Sequence, residues 1–279
     1  AGLVKGAATG EGLGNKFLAH IREVDLICNV MRTFADPDVV HVAGEIDAQR
    51  DKEIVEAELI LADLQTLDKQ VEPRGVADKE VKARWEVVIR LKEELNKGNS
   101  AHTIVVEERE KELIKDLHLL TMKPVLYVEN VSEMDLSSKS KAASLKTDKV
   151  IISAKIESEL AGLPESEQKE YLKSLGLEKS GLERLIQKAY QKLNLISFLT
   201  GGELEARAWT IPLGTKAPQA AGVIHTDFEK GFIKAEVIDY VTFVKLEGWS
   251  KARELGKMRF EGKEYQMQDG DVGEFKVNS

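Results

Sequence analysis

Two stretches decide the fold of this chain: PVLYVEN at Pro124–Asn130 and KVIISAK at Lys149–Lys155. Each is a short run of mostly apolar, branched residues that ends on polar or small ones, the pattern of a strand buried on both faces of a parallel sheet. A third run, DLICNV at Asp25–Val30, follows a segment in which Phe17, Leu18 and Ile21 recur at helical spacing. Helix followed by buried strand is the rhythm of an α/β domain.

Working outward, Ile54 to about Leu120 is dominated by helix formers and charges. Ala57, Leu61, Leu64, Leu67 and Val71 recur at helical spacing, as do Val81, Trp85, Val88 and Leu95 after the break at EPRG (Glu72–Gly75). This predicts an antiparallel helical hairpin inserted between strands of one sheet, its second arm closed by NKGNSAH (Asn96–His102). RTFADPDVVHVAGEIDAQRD (Arg32–Asp51), punctuated by Asp36, Pro37 and Gly44, reads as a polar loop, and Ser166–Leu195 reads as helical, with Gly176 and Gly181 marking turns. From about Phe198 the texture changes to short alternating strands separated by Gly and Asp turns, with one helical piece near Asp227–Gly231 and a last strand through Val272, Phe275 and Val277. The expected division is a nucleotide-type α/β domain over 1–53, the hairpin over 54–120, the remainder of the α/β domain over 121–196, and a small β domain over 197–279.

Composition bounds the function. With 279 residues, 42% hydrophobic and 32% charged, the chain has the make-up of a globular protein, and it contains no apolar run of membrane-spanning length. A net charge of -8 argues against coating nucleic acid by bulk electrostatics, and no sequence-specific DNA binding is expected. Cys28 is the single cysteine and has no internal disulfide partner, which fits a reducing, cytoplasmic setting. His20, His41, His102, His118 and His225 are scattered without metal-ligand spacing, and no G-x-S-x-G nucleophile motif occurs.

Ligands of doubly wound sheets bind at the carboxyl ends of the strands. Asn130, three residues before Glu133, and Ser153-Ala154-Lys155 stand directly after two such strands. Asn130 would hold a purine edge with its amide, helped by the Glu133 carboxylate, while the amides of Ser153 and Ala154 and the Lys155 stem would close over the base. In this order the two segments resemble the base-recognition loops of P-loop NTPases.

The glycine-rich start AGLVKGAATGEGLGNKFLAHIRE (Ala1–Glu23) then resembles a γ-phosphate switch loop running into its helix. Together with VVHVAGEID (Val39–Asp47), ELILADL (Glu58–Leu64), NVSE (Asn130–Glu133), SAKIESE (Ser153–Glu159) and the long segment Arg207–Ile238, it resembles the YchF type of Obg-like ATPase over essentially the whole chain. The resemblance implies an incomplete P-loop-type parallel sheet interrupted by a helical hairpin and followed by a β-grasp TGS domain, a cofactor set of ATP and Mg2+, hydrolysis to ADP and phosphate, and the ribosome as partner. It places the Gly2 amide at the γ-phosphate and Leu3 where many GTPases carry a water-orienting glutamine; an alkyl side chain cannot orient water, so another group must. The base loop reads Asn130-Val131-Ser132-Glu133, with a glutamate in place of the aspartate and no lysine, which favours an adenine nucleotide over guanine.

Phe34 is either a wall for the adenine or a core phenylalanine at a strand end. His41 is either a water-positioning imidazole or a surface loop histidine. No Gly-x-x-x-x-Gly-Lys-Ser/Thr loop occurs in these residues. The metal ligands are therefore expected before Ala1, and the chain by itself is expected to bind nucleotide poorly and to aggregate. A non-catalytic ribosome-binding module and a GTPase are the alternative readings.

Overall fold

A computed structural model describes residues 14–34, 46–75, 78–105, 107–136, 149–202 and 205–278. The chain divides into two compact units, Ala1–Ala189 and Tyr190–Ser279.

The first unit is built on three parallel strands, β1 (Ile27–Arg32), β2 (Val125–Asn130) and β3 (Lys149–Ile152), in the order β1-β2-β3. The register pairs Cys28 with Leu126, Val30 with Val128 and Val128 with Val150. Central β2 is covered on both faces, which is why its sequence carries a nearly continuous apolar run. Leu126, Val128 and Val150 pack with Leu26, Ile152, Leu185 and Ala189. Each of the buried Leu126, Val128 and Val150 side chains contributes roughly 1.5–3 kcal/mol by leaving water.

Helix α1 (Gly14–Glu23) precedes β1. Between β1 and β2 lie α2 (Ala48–Asp68), α3 (Lys79–Asn96), α4 (Ala101–Ile104) and α5 (Glu108–Ile114), so the expected helical insertion is present. Its first arm starts earlier than the sequence reading placed it. Asp47 caps α2 by accepting the backbone N–H groups of Gln49 at 3.1 Å and Arg50 at 3.0 Å, so the end of the supposed polar loop is helical. The apolar stripe is also rotated from the expected one. Leu61 and Val71 are exposed, while Leu59, Ile60, Ala62 and Leu67 are buried. The cause is that α2 serves two masters: Ile60 and Leu67 face the hairpin core with Val88, Leu91 and Leu95, whereas Leu59 and Ala62 join Leu18 and Leu120 under the sheet. A helix with two contact faces has no single stripe to read.

The hinge of that arrangement is polar. Asp63, fully buried on α2, accepts the N–H of Leu120 at 2.7 Å, the N–H of Thr121 at 2.8 Å and the Thr121 hydroxyl at 2.7 Å. Burial pushes its carboxyl above the ordinary range, and the Thr121 and Leu120 bonds with the nearby Arg22 charge offset part of that. Thr121 Oγ1 in turn accepts the Ala101 N–H at 3.0 Å, capping α4. Two residues on, the Lys123 ammonium donates to the carbonyl of Arg22 at 2.6 Å and to that of Val24, closing the end of α1.

After β3 the chain forms α6 (Ala154–Ala161), α7 (Glu165–Ser174) and α8 (Gly181–Lys192). The break between α7 and α8 falls at Gly176, whose φ of 70° is one a side chain would strain. Gly181, expected to mark a turn, is instead the first residue of α8; a Cβ there would lie 2.7 Å from both Glu157 Oε1 and Ile152 Cγ2. Leu195, read as helical, opens a strand.

The second unit is a mixed five-stranded sheet in the order β5-β4-β8-β6-β7, with β4 (Leu195–Gly201), β5 (Ala206–Pro212), β6 (Phe232–Asp239), β7 (Arg259–Glu261) and β8 (Asp271–Val277). First and last strands run parallel at its centre, the β-grasp arrangement. Helix α9 (Ala217–Ile224) packs Ala217, Ala220 and Ala221 against Phe198, Ile211 and Val237. The short α10 (Thr226–Lys230) matches the helical piece expected there. Both α11 (Tyr240–Lys245) and α12 (Trp249–Glu254), together with α9, correct the reading of this region as strands and turns. In α11 the helix was hidden because Val, Phe and Tyr in VIDYVTFV favour strands, while the Asp239 side chain caps it by accepting the Thr242 N–H at 2.9 Å. Among the described residues no helix is long and apolar enough to cross a membrane.

Candidate functional site

Because β1, β2 and β3 run parallel, their carboxyl ends share one edge of the sheet, where Arg32 pairs with Asn130 and Asn130 with Ile152. Three loop starts therefore meet there: Thr33-Phe34, Val131-Ser132-Glu133 and Ser153-Ala154-Lys155. The backbone ties them. Thr33 donates its N–H and its hydroxyl to the Asn130 carbonyl at 3.1 and 3.2 Å, and the Val131 N–H donates to the Ile152 carbonyl at 2.8 Å.

The side chain of Asn130 makes the decisive link. Its Oδ1 accepts the Ala154 N–H at 2.9 Å, so the two base loops predicted from sequence are joined directly. No acceptor for the amide nitrogen is found among the described residues. Ser153 is buried and precedes the first residue of α6, while Ala154 and Lys155 are exposed at its start. Val131 is buried among Ile151, Ile156 and Leu160, so it anchors its loop in the core and turns no side chain toward a ligand.

Glu133 lies in the first turn of a helical segment at 133–136, and the Lys155 ammonium pairs with its Oε1. That hydrogen bond, together with the Glu133 charge, holds the lysine above its ordinary range. One turn beyond Lys155, Glu159 Oε2 accepts the Tyr171 hydroxyl at 2.7 Å. Phe34 is half-buried; the Arg32 guanidinium lies 5.1 Å from its ring centre and donates to the Phe34 carbonyl at 2.9 Å. One ring face is thereby covered by cationic Arg32.

A supporting residue escaped the sequence reading. Glu157 accepts the N–H groups of Gly181 at 2.7 Å and Leu182 at 3.1 Å, fixing the start of α8 against α6. Its signal was available only as a carboxylate two residues past Lys155, with nothing in the sequence to name its partner.

Gly2, Leu3 and His41, the residues expected at the phosphate end, lie outside the described residues, as does the glycine-rich segment before Gly14. Among the described residues no group of three or more His, Cys, Asp or Glu side chains is placed to hold a metal ion. His225 is structural: its Nδ1 accepts the Asp227 N–H at 3.2 Å and caps α10.

Known proteins share this architecture. Residues 195–278 match the family model YchF-GTPase_C, described as a protein of unknown function (DUF933). The chain is 44% identical over 292 residues to the ribosome-binding ATPase YchF of Bacillus subtilis (strain 168), taking in 100% of this chain and 80% of that protein. It is 42% identical over 290 residues to the ribosome-binding ATPase YchF of Escherichia coli O157:H7, with the same shares covered. The Schizosaccharomyces pombe YchF GTPase structure superposes with a TM-score of 0.79 at 38% identity, covering 99% of this chain and 78% of the other. A GTP binding protein from Pyrococcus horikoshii OT3, at 17% identity and a TM-score of 0.53, shares the fold. With such identity along its whole length, the chain belongs to the YchF family of P-loop NTPases.

Proposed function

We propose that this protein is a nucleotide-dependent switch that hydrolyses ATP to ADP and phosphate and couples that cycle to ribosome association. The observation that carries the reading is the bond from the Ala154 N–H to Asn130 Oδ1, at 2.9 Å. It fixes the Asn130 amide through its oxygen, and the N–H2 of that amide is the donor we assign to a purine ring nitrogen. A rigid donor at the carboxyl edge of a parallel sheet is suited to a base, and the stacked Arg32–Phe34 pair beside it offers a flat wall.

The names carried by the bacterial relatives, ribosome-binding ATPase, support the activity and the partner. Mg2+ accompanies the triphosphate in enzymes of this kind and neutralises charge on it. The described residues supply no cluster for the ion, and base recognition by Asn130 requires none. For the phosphate end we assign Gly2 as an amide donor, Leu3 as a residue unable to orient water, and His41 as the water-positioning candidate.

The reading is tested by phosphate release from ATP, with and without ribosomes, and by co-sedimentation with ribosomes in ATP and in ADP. Turnover and a nucleotide-dependent change in sedimentation are expected; the absence of both sinks the proposal. A second reading, GTP as substrate, is favoured by the description of the fission yeast structure as a GTPase and by the fact that both purines present the same N7 acceptor to Asn130. Competition of ATP against GTP decides between them.

A further inference from the structure

We propose that Lys155 is a base-selection residue that acts by occupying the Glu133 carboxylate and so withholding from guanine the acceptor it needs. The inference rests on the reading of these loops as a base site.

Guanine presents two donors on its pairing edge, N1–H and N2–H2, and its selection depends on a carboxylate free to accept them. Adenine presents one donor, N6–H2, beside a lone pair at N1 that a bare carboxylate repels, so it cannot be held by two adjacent donors as guanine is. A glutamate at position 133 therefore has opposite consequences for the two bases according to whether it is free or occupied.

In this structure it is occupied. Lys155 reaches Glu133 across the mouth formed by the two loops. The Asn130–Ala154 bond sets the spacing of those loops, so the two side chains are brought face to face by the backbone frame. The alternative partner for the ammonium is Glu159, one helical turn along α6, and the Tyr171 hydroxyl already binds that carboxylate at 2.7 Å. The segment between Asn130 and Glu133 supplies no second cation, because Val131 is buried in the core and Ser132 is neutral. Among the described residues Lys155 is thus the cation that pairs with Glu133, and a guanine must displace it while an adenine need not.

Both side chains remain open to solvent, at 69% and 41% exposure, so their exchange between partners is cheap and the selectivity it supplies is modest. Lys155→Met keeps the aliphatic stem that would lie along a base and removes only the charge.

The test is titration of the 15N-labelled chain with ADP and with GDP, following the backbone amide signals of Asn130 and Ala154, which reads millimolar affinities as well as tight ones. Lys155→Met is expected to raise GDP affinity relative to ADP about three- to fivefold, the scale of an exposed ion pair. In a Glu133→Gln background the same substitution is expected to leave the ratio unchanged. A ratio that does not move in Lys155→Met, or that moves equally in the Glu133→Gln background, overturns the role of Lys155 while the base site stands. Signals at Asn130 and Ala154 that respond to neither nucleotide, in the unsubstituted chain included, overturn the base-site reading and this inference with it.

Discussion

Asn130 Oδ1 accepts the backbone N–H of Ala154 across 2.9 Å, adding a side-chain tie to the backbone bond from the Val131 N–H to the Ile152 carbonyl that already joins the two loops. The two ends of the Asn130 amide separate by substitution. Asn130→Asp keeps an acceptor for Ala154 but loses the Nδ2 donor; Asn130→Ala loses both. Asn130→Asp is expected to stay within about 1 kcal/mol of the parent in urea unfolding yet lose about tenfold or more in nucleotide affinity. Asn130→Ala is expected to lose affinity and about 1 kcal/mol of stability. Undiminished nucleotide affinity in Asn130→Asp would remove the Nδ2 donor from the proposed site.

Asp63 is met only by donors: two N–H groups and one hydroxyl, all within 2.8 Å. Asp63→Asn substitutes an N–H2 for one accepting oxygen and leaves a donor facing a donor in a buried place. A loss of about 3 kcal/mol is expected in denaturant unfolding at neutral pH. A change below about 0.5 kcal/mol would show that the site relaxes around the amide.

Gly181 admits no side chain without movement, since a Cβ would sit 2.7 Å from Ile152 Cγ2 and from Glu157 Oε1. Gly181→Ala is expected to cost about 1–3 kcal/mol by displacing α8 from β3. Because Ile152 is followed directly by Ser153-Ala154-Lys155, the same variant should also shift the Ala154 amide signal in NMR spectra. Unchanged stability with an unchanged Ala154 signal contradicts the tight contact.

Arg84 on α3 grips Asp116 with two nitrogens, at 2.5 and 2.9 Å, and donates to the Leu113 carbonyl at 2.9 Å. The hydrogen bonds from Arg84 hold the Asp116 carboxyl below its ordinary value of 3.8. The sign follows: a depressed folded-state value contributes stability above the unfolded value and loses it as pH falls through the folded one. Asp116 is largely exposed, so solvent screening limits the pair to about 1 kcal/mol. Arg84→Met should cost that much in urea unfolding at pH 7, with the gap to the parent narrowing as pH falls below 3.8. A gap that is constant with pH would assign the loss to the Leu113 carbonyl instead.

Much of the first unit was legible because its physics is local. Branched apolar runs at DLICNV, PVLYVEN and KVIISAK become β1, β2 and β3, offset by at most a few residues, because branched apolar residues favour strands; β1 is nevertheless covered on one face only, with Cys28 and Val30 exposed. That Asn130 closes β2 and Ser153-Ala154-Lys155 follows β3 was legible from the same runs. The stripe on α2 was misread because Leu59 and Leu67 serve different cores, and α11 was missed because strand-favouring residues yielded to a cap at Asp239.

By itself the amino-acid sequence determined the parallel strands, the helical insertion between them, the final strand of the second unit and the position of two loops at the carboxyl ends of strands, since each depends on residues close together in the chain. Tertiary structure alone decided that Asn130 holds Ala154, that Lys155 occupies Glu133, that Val131 faces the core and that Asp63 gathers three donors from a segment more than fifty residues away. Those are meetings between distant parts of the chain, set by sheet register and helix packing, and no local pattern encodes which partner a polar side chain will find.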